Sequence, residues 1–217
     1  MIEITINQDR RSFLRNASAF LALPMLGIGL LELTSCAKSN SSFARSELGA
    51  KPSVAAPWKL TMVSDNEPGE PLIMSGIIYS PDGRTPLEGI NLWVYHADAT
   101  GQYSTTGGDN RNTRLHGLMR TNAEGRYEFR TIKPAPYPGR RNPAHIHAFV
   151  SGPGYPEYWI DEYLFEGDPF ITDDIRRKSP EQGRFASIVK LERGADGTLR
   201  GVRDIKIQRC SNNCTGR

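Results

Sequence analysis

The sequence predicts an all-β sandwich, and three observations lead to that prediction. The 217-residue chain contains 21 glycines and 15 prolines, a turn-rich composition that favours short strands over helices. Short apolar runs recur along the chain, and in the run over residues 89–96 the side chains of Ile90, Leu92 and Val94 share one face, as in a strand. Turn signals separate these runs, as they do in sandwich proteins. The length suits one domain with its own core.

The first 35 residues have the features of an export signal rather than of a folded domain. Asp9-Arg10-Arg11-Ser12-Phe13-Leu14-Arg15 contains paired arginines and precedes an apolar run over residues 19–31, the order typical of twin-arginine signals. The run ends in Leu33-Thr34-Ser35-Cys36, which resembles a bacterial lipobox. We therefore expect export by the twin-arginine route, cleavage before Cys36 and a lipid anchor on its thiol, on the periplasmic or surface face of the envelope. A buried cysteine after an amphipathic helix is the alternative.

Three further segments follow the signal. Residues 36–57 are rich in Ser, Ala and Lys without hydrophobic periodicity, so we expect a lipidated cysteine followed by a flexible tether. Residues 58–209 form the predicted sandwich, and residues 210–217 form a tail. Cys210 and Cys214 in that tail either close a small disulfide loop or remain free thiols. The net charge of +3 comes from basic residues scattered among acidic ones, so no nucleic-acid partner is expected.

The expected strands are bounded by Gly, Pro, Asn or Asp. They cover residues 72–79, 89–96, 126–132, 144–150 and 159–165, and a C-terminal hairpin joins residues 188–191 to residues 202–207 around Asp196-Gly197. Residues 105–114 are polar and are expected to form a loop. Residues 168–182 are expected to cover part of the sandwich, with room for one helical turn.

Two histidines of one predicted strand could form half of a metal site. His145 and His147 are two residues apart, so their side chains point to the same face of the strand, and Tyr137 adds a phenol from the preceding loop. A His-x-His pair occurs in metal sites, but it also occurs as half-buried histidines capped by hydrogen bonds. The other two histidines, His96 and His116, are expected at a strand end and in a loop.

A series of motifs along residues 74–169 extends this pattern. In order, the motifs are Gly101-Gln102-Tyr103-Ser104, Thr121-Asn122-Ala123-Glu124-Gly125-Arg126-Tyr127-Glu128-Phe129, Thr131-Ile132-Lys133-Pro134, Pro136-Tyr137-Pro138 and Pro143-Ala144-His145-Ile146-His147. Together they resemble the intradiol ring-cleavage dioxygenases, and the protocatechuate 3,4-dioxygenase branch in particular. The resemblance implies the prealbumin-like β-sandwich of that family, with long loops around a metal site.

The resemblance also implies a non-haem Fe(III) cofactor and its ligands. Tyr103 and Tyr137 match the two tyrosinate ligands of the family, and His145 and His147 match the two histidine ligands. Phenolate oxygen is a hard donor that suits Fe(III), and neutral imidazole is compatible with that ion. The implied reaction uses O2 to open a small aromatic diol of the catechol type between its hydroxyls, giving a muconate-type product. Tyr137 is expected to leave the metal when the diol binds.

Two positions depart from the family pattern. Asn142 stands where the family has an arginine that stabilises negative charge on the ring, so we assign that role to Arg141, with Arg140 as the second arginine of the loop. Glu162 stands where an amide is usual. Because a carboxylate repels an anionic diol, Glu162 either points away from the substrate pocket, is protonated, or marks a different substrate.

These departures leave two other functions open. The first is an envelope lipoprotein that keeps the sandwich and binds a catechol or a metal without turnover. The second is a structural domain with a zinc or copper His-x-His site, which leaves both tyrosines unexplained. The oligomeric state does not follow from the sequence.

Overall fold

A computed structural model describes residues 56–104, 113–179 and 181–209. Within these ranges the strands are β1 (Lys59–Thr61), β2 (Pro71–Tyr79), β3 (Asn91–Tyr95), β4 (His116–Arg120), β5 (Arg126–Ile132), β6 (His145–Gly152), β7 (Tyr155–Phe165), β8 (Ile188–Val189), β9 (Leu191–Arg193), β10 (Leu199–Val202) and β11 (Ile205–Lys206). The helix α1 (Asp173–Lys178) and a 3₁₀ turn at Gly183–Phe185 lie between β7 and β8.

Several sequence-based expectations fall outside the described residues. They concern the export signal, the lipidation site Cys36, almost all of the tether, and the Cys210–Cys214 pair. Within the described ranges, no helix has both the length and the apolar character needed to cross a membrane.

Two sheets share one hydrophobic core. The first has the strand order β1-β5-β2-β10-β9, with β11 also paired to β2, and the second has the order β4-β3-β6-β7-β8. Alternate residues of the central strands point inward, so their apolar side chains are removed from water. Core positions from both sheets include Leu72, Met74, Leu92, Val94, Phe129, Ile146, Ala148 and Tyr163. The prediction of an all-β sandwich is confirmed.

The C-terminal strands differ from the expected hairpin. The Asp196-Gly197 turn joins β9 to β10, whereas β8 pairs with β7 and β11 pairs in parallel with β2. After β10 the chain leaves the hairpin, and Ile205 and Ile207 are thereby buried in the core. Burial of these two side chains favours this path of the chain.

Strand β4 was not expected, and His116 begins this strand rather than lying in a loop. A glycine interrupts its short run, so the local strand signal is weak. The strand forms because all five of its residues pair with β3, from Asn91↔Arg120 to Tyr95↔His116. This long-range pairing cannot be inferred from local propensity.

His96 lies just after β3, as expected for a strand-end histidine, and it is fully buried. Its Nδ1 is 2.7 Å from the carbonyl oxygen of Ala97, and its Nε2 is 2.7 Å from Oγ1 of Thr131. The imidazole thus ties the end of β3 to β5. Because burial penalises the charged form, the pKa of His96 is lowered from 6.5 to about 4.

This buried imidazole predicts a loss of stability in acid. Between pH 6.5 and 4 the unfolded chain binds a proton at His96 that the folded protein does not bind, so the free energy of unfolding falls as the pH falls. The loss reaches on the order of 3 kcal/mol at pH 4. Urea unfolding of metal-free protein at pH 7 and at pH 4.5 measures the free energy of unfolding. Its decrease between the two pH values should be smaller for His96→Gln than for the wild type. His116→Gln is the control, and parallel pH dependence in all three proteins would contradict the prediction.

Candidate metal centre

The hydroxyl group of Tyr137 lies within hydrogen-bonding distance of three other side chains. This oxygen lies 2.6 Å from the hydroxyl of Tyr103, 2.9 Å from Nε2 of His145 and 3.2 Å from Nε2 of His147. The residues come from a turn after β3, from the loop before β6, and from β6 itself. The structure therefore brings together all four residues that the sequence predicted as metal ligands.

A tight turn holds Tyr103 at this point. The carboxylate of Asp98 accepts a hydrogen bond of 3.0 Å from the backbone N–H of Gln102, and the Asp98 carbonyl accepts one of 3.0 Å from the N–H of Gly101. Gly101 has a φ of +77°, and a Cβ there would lie 2.1 Å from the carbonyl oxygen of Pro136. The turn can approach the proline loop this closely only because residue 101 is glycine.

His145 is held by a backbone carbonyl. Its Nδ1 donates a hydrogen bond of 2.7 Å to the carbonyl oxygen of Pro143, so the lone pair of Nε2 is directed towards Tyr137. Burial lowers the pKa of His145, which keeps the ring neutral. A neutral imidazole with a free Nε2 lone pair is the form that binds a metal.

His147 is packed between two aromatic side chains. Tyr95 stacks on its ring with centroids 4.6 Å apart and planes 21° apart, and Trp159 contacts it edge-on at 5.5 Å. Tyr95 is in register with His147 across β3 and β6, which explains the stacking. The contact of Tyr95 with a predicted ligand was not foreseen from the sequence, because it depends on strand register.

Glu162 contacts His147 on the side of the ring remote from Tyr137. Its Oε1 lies 2.9 Å from Nδ1 of His147. Burial raises the pKa of the Glu162 carboxyl, but the contact with His147 and the nearby His145 outweigh burial, so its pKa is lowered. The group is therefore ionised at neutral pH. Of the three alternatives from the sequence, protonation is the one that these contacts oppose.

The arginines of the Tyr137–His145 loop are exposed. Burial raises the pKa of Tyr137, and the positive charge of Arg140 only partly opposes that rise. Arg141 makes no hydrogen bond or ion pair with another described residue, and its assignment stays a prediction. Asn142 has a buried Oδ1 without a hydrogen-bond partner in the described part of the chain.

The chemistry of the donor set fits a ferric ion. Burial raises the pKa of Tyr103, as does its hydrogen bond to Tyr137, and burial likewise raises the pKa of Tyr137. Both phenols are thus neutral unless a cation is present. Two oxygen donors and two imidazole nitrogens directed at one point match the preference of Fe(III) for hard donors together with imidazole. Tyr103, Tyr137, His145 and His147 are the residues that would hold the ion.

Comparison with known proteins agrees with this geometry. A model of the Dioxygenase family matches residues 51–203, which is most of the chain. The chain belongs to the intradiol ring-cleavage dioxygenase family. The resemblance inferred from the sequence motifs is thereby confirmed, and the four convergent side chains lie within the matched range.

The alignments of this intradiol dioxygenase with its curated relatives cover only part of each relative. Catechol 1,2-dioxygenase 2 of Acinetobacter lwoffii is 35% identical over 125 residues, 50% of this chain and 45% of the relative. The protocatechuate 3,4-dioxygenase beta chain of Burkholderia cepacia is 32% identical over 135 residues, 56% of this chain and 57% of the relative. The chain thus spans about half the length of the curated relatives it matches.

A solved structure supports the fold. The dioxygenase domain of a dioxygenase carbohydrate-binding protein fusion from Streptomyces sp. SirexAA-E is 27% identical to this chain, with a TM-score of 0.54. The alignment covers 69% of this chain and 87% of that domain. The sandwich is therefore similar to that of a solved dioxygenase domain.

The turn at Gly101 predicts a position-specific effect on metal binding. Gly101→Ala should weaken Fe(III) binding at least ~10-fold, because its Cβ collides with Pro136 and displaces the ligand Tyr103. Gly154→Ala is the matched control, since Gly154 also has a positive φ, of +79°, but a Cβ there meets no atom within 4 Å. Both variants carry backbone strain of about 1–2 kcal/mol. Chelator competition measures the affinities, and equal affinities in the two variants would refute the prediction.

Proposed function

We propose that this protein is a non-haem Fe(III)-dependent intradiol dioxygenase. It would use O2 to open a catechol-type ring between its two hydroxyls and release a muconate-type product. The observation that carries the proposal is the convergence of two phenols and two imidazoles at the Tyr137 hydroxyl. Family membership and the catechol dioxygenases among the relatives support the reaction and the substrate class.

Bound Fe(III) would supply Lewis-acid chemistry that withdraws electron density from the diol. The protein contributes two unequal phenols. His145 and His147 lie on a paired strand and hold fixed positions, whereas Tyr137 lies on a loop whose next residues are exposed. We assign Tyr137 Oη as the proton acceptor for one diol hydroxyl, since this phenol can withdraw while Tyr103 remains in its glycine turn.

The loop arginines supply the positive charge in this proposal. Asn142 cannot stabilise negative charge on the ring as a guanidinium does. Arg140 and Arg141 are the cationic groups of the same loop. Both are exposed, so a substrate that covers them would strengthen their electrostatic effect by excluding water.

Turnover by iron-loaded protein tests this function. Catechol, protocatechuate and hydroxyquinol are mixed with the protein without oxygen, and O2 uptake and product absorbance are then followed. We expect one O2 consumed for each ring opened with at least one diol. Tyr137→Phe and His147→Ala should lower kcat/KM at least ~100-fold, because they remove a proton acceptor and a ligand. Absence of ring opening with all three diols would refute catalysis.

One observation favours a second function, namely binding without turnover. Asn142 occupies the arginine position of the family, and its Oδ1 is buried without a partner among the described residues. In a binding protein, the anaerobic diol complex would persist after O2 is admitted. In an enzyme limited by this position, Asn142→Arg would raise the rate of ring opening.

We also propose that the protein is exported and lipid-anchored at Cys36. The support is the order of paired arginines, apolar run and Leu-Thr-Ser-Cys in the sequence. In a bacterial host, Cys36→Ser should release the protein from the membrane fraction, and replacing Arg10 and Arg11 by lysine should block export. Metabolic labelling with a fatty acid and cell fractionation measure the two effects. Unchanged fractionation of both variants would rule out this localisation.

A further inference from the structure

The pairing of β6 with β7 contains a bulge opposite a predicted metal ligand. Ile146 pairs with Tyr163 and Ala148 pairs with Ile160, so one residue of β6, His147, faces two residues of β7. These two residues are Asp161 and Glu162. A β-bulge redirects side chains that regular pairing would place elsewhere, and bulges are common next to functional sites.

A buried arginine holds this bulge in place. Nη1 of Arg203 donates a hydrogen bond of 2.8 Å to the carbonyl oxygen of Asp161, a bulge residue. The Arg203 side chain stacks over the ring of Tyr163 at 4.6 Å, and only 4% of the residue is exposed. The hydroxyl of Tyr127 donates to the Arg203 carbonyl at 2.6 Å, which fixes the backbone there. Contacts of Arg203 within the adjoining core therefore fix the backbone of the bulge at Asp161.

The two histidines of the site have different partners at Nδ1. His145 donates to a neutral carbonyl, that of Pro143, at 2.7 Å. Nδ1 of His147 is buried and makes no well-aligned hydrogen bond within the described ranges, although the Glu162 carboxylate lies 2.9 Å away. Among the described residues, this partly exposed carboxylate is the charged group in contact with that nitrogen. A buried donor without a partner is costly, so Glu162 is the acceptor that satisfies it.

The plane of the His147 ring does not depend on this carboxylate. Tyr95 stacks on one face of the ring and Trp159 contacts it edge-on. Glu162 therefore affects the tautomer and the basicity of the His147 imidazole rather than the orientation of its plane. Carboxylates that accept a proton from a ligand imidazole fix which nitrogen binds the metal and strengthen that nitrogen as a donor.

We propose that Glu162 is a positioning residue for His147, presented by the bulge that Arg203 anchors, and that it makes Nε2 of His147 a stronger metal donor than Nε2 of His145. The proposal rests on the proposed iron site. In this proposal, the carboxylate that replaces the usual amide acts on the metal ligand His147 rather than on the substrate ring.

Metal affinity and colour test the proposal without turnover. Glu162→Gln replaces the carboxylate by an amide of the same shape, and we expect Fe(III) affinity, measured by chelator competition, to fall about 10- to 100-fold. The tyrosinate-to-iron absorption band should move to longer wavelength, because a weaker imidazole donor leaves the iron more electron-deficient. Glu166→Gln is the matched control, since Glu166 follows β7, is exposed and pairs with Arg176. It should change neither quantity.

A double-mutant comparison tests the bulge. Arg203→Lys should weaken Fe(III) binding in the wild-type background but cause no further loss in the Glu162→Gln background, because both changes act on one contact. Equal losses in both backgrounds would overturn the role of the bulge. Unchanged affinity and an unchanged band in Glu162→Gln would overturn the role of the carboxylate.

The outcomes also separate this inference from the proposed function. If the wild-type protein binds Fe(III) with the expected colour but opens no diol, the proposed catalysis is refuted. The comparison of Glu162→Gln with the wild type then still tests the role of Glu162. If Glu162→Gln behaves as the wild type in an active enzyme, only the present inference fails. If the wild-type protein binds no Fe(III), both proposals are overturned.

Discussion

The contact of two phenols and two imidazoles at the hydroxyl of Tyr137 is the interaction on which the site depends. The two Nε2 atoms are acceptors, because the Nδ1 atoms face Pro143 and Glu162. Burial raises the pKa of Tyr137 and of the second phenol, so neither supplies negative charge without a cation nearby. Such a cluster of electron-pair donors is typical of a metal site whose charge deprotonates the phenols.

The surrounding fold divides this site into a rigid and an adjustable half. The histidines lie on β6, which is paired on both sides by β3 and β7 and cannot shift without breaking two ladders. The phenols lie on a turn and a proline-containing loop, where the chain can move at lower cost. In the proposed function, donors on movable segments suit a site that admits a diol, and the residues that follow Tyr137 are exposed.

The sequence predicted the sandwich and the convergent residues for different reasons. Short apolar runs bounded by turn residues located β2, β5 and β6, and the period of two places the buried Tyr127 and Phe129 on one face of β5. The shared face of His145 and His147 follows from the same period. That Tyr103 and Tyr137 join them came from the resemblance to the family, since no local rule brings a turn and a loop 34 residues apart together.

The remaining features depend on long-range pairing that local sequence does not encode. Strand β4 exists because β3 provides a partner, and the chain after β10 turns inward because two isoleucines reach the core. The bulge of β7 adds one residue without a fixed sequence signature, so the position of Glu162 beside His147 could not be read from spacing. The departures from the family pattern were visible in the sequence, but the contact of Glu162 required the structure.

The visible absorption spectrum of the Fe(III)-loaded protein shows whether Tyr103 and Tyr137 bind the ion. We expect a tyrosinate-to-iron charge-transfer band in the wild type, a weaker band in Tyr103→Phe and in Tyr137→Phe, and none when both are replaced. Iron-loaded wild-type protein without such a band, or a band that survives the double replacement, would contradict the claim that these two phenols hold the metal.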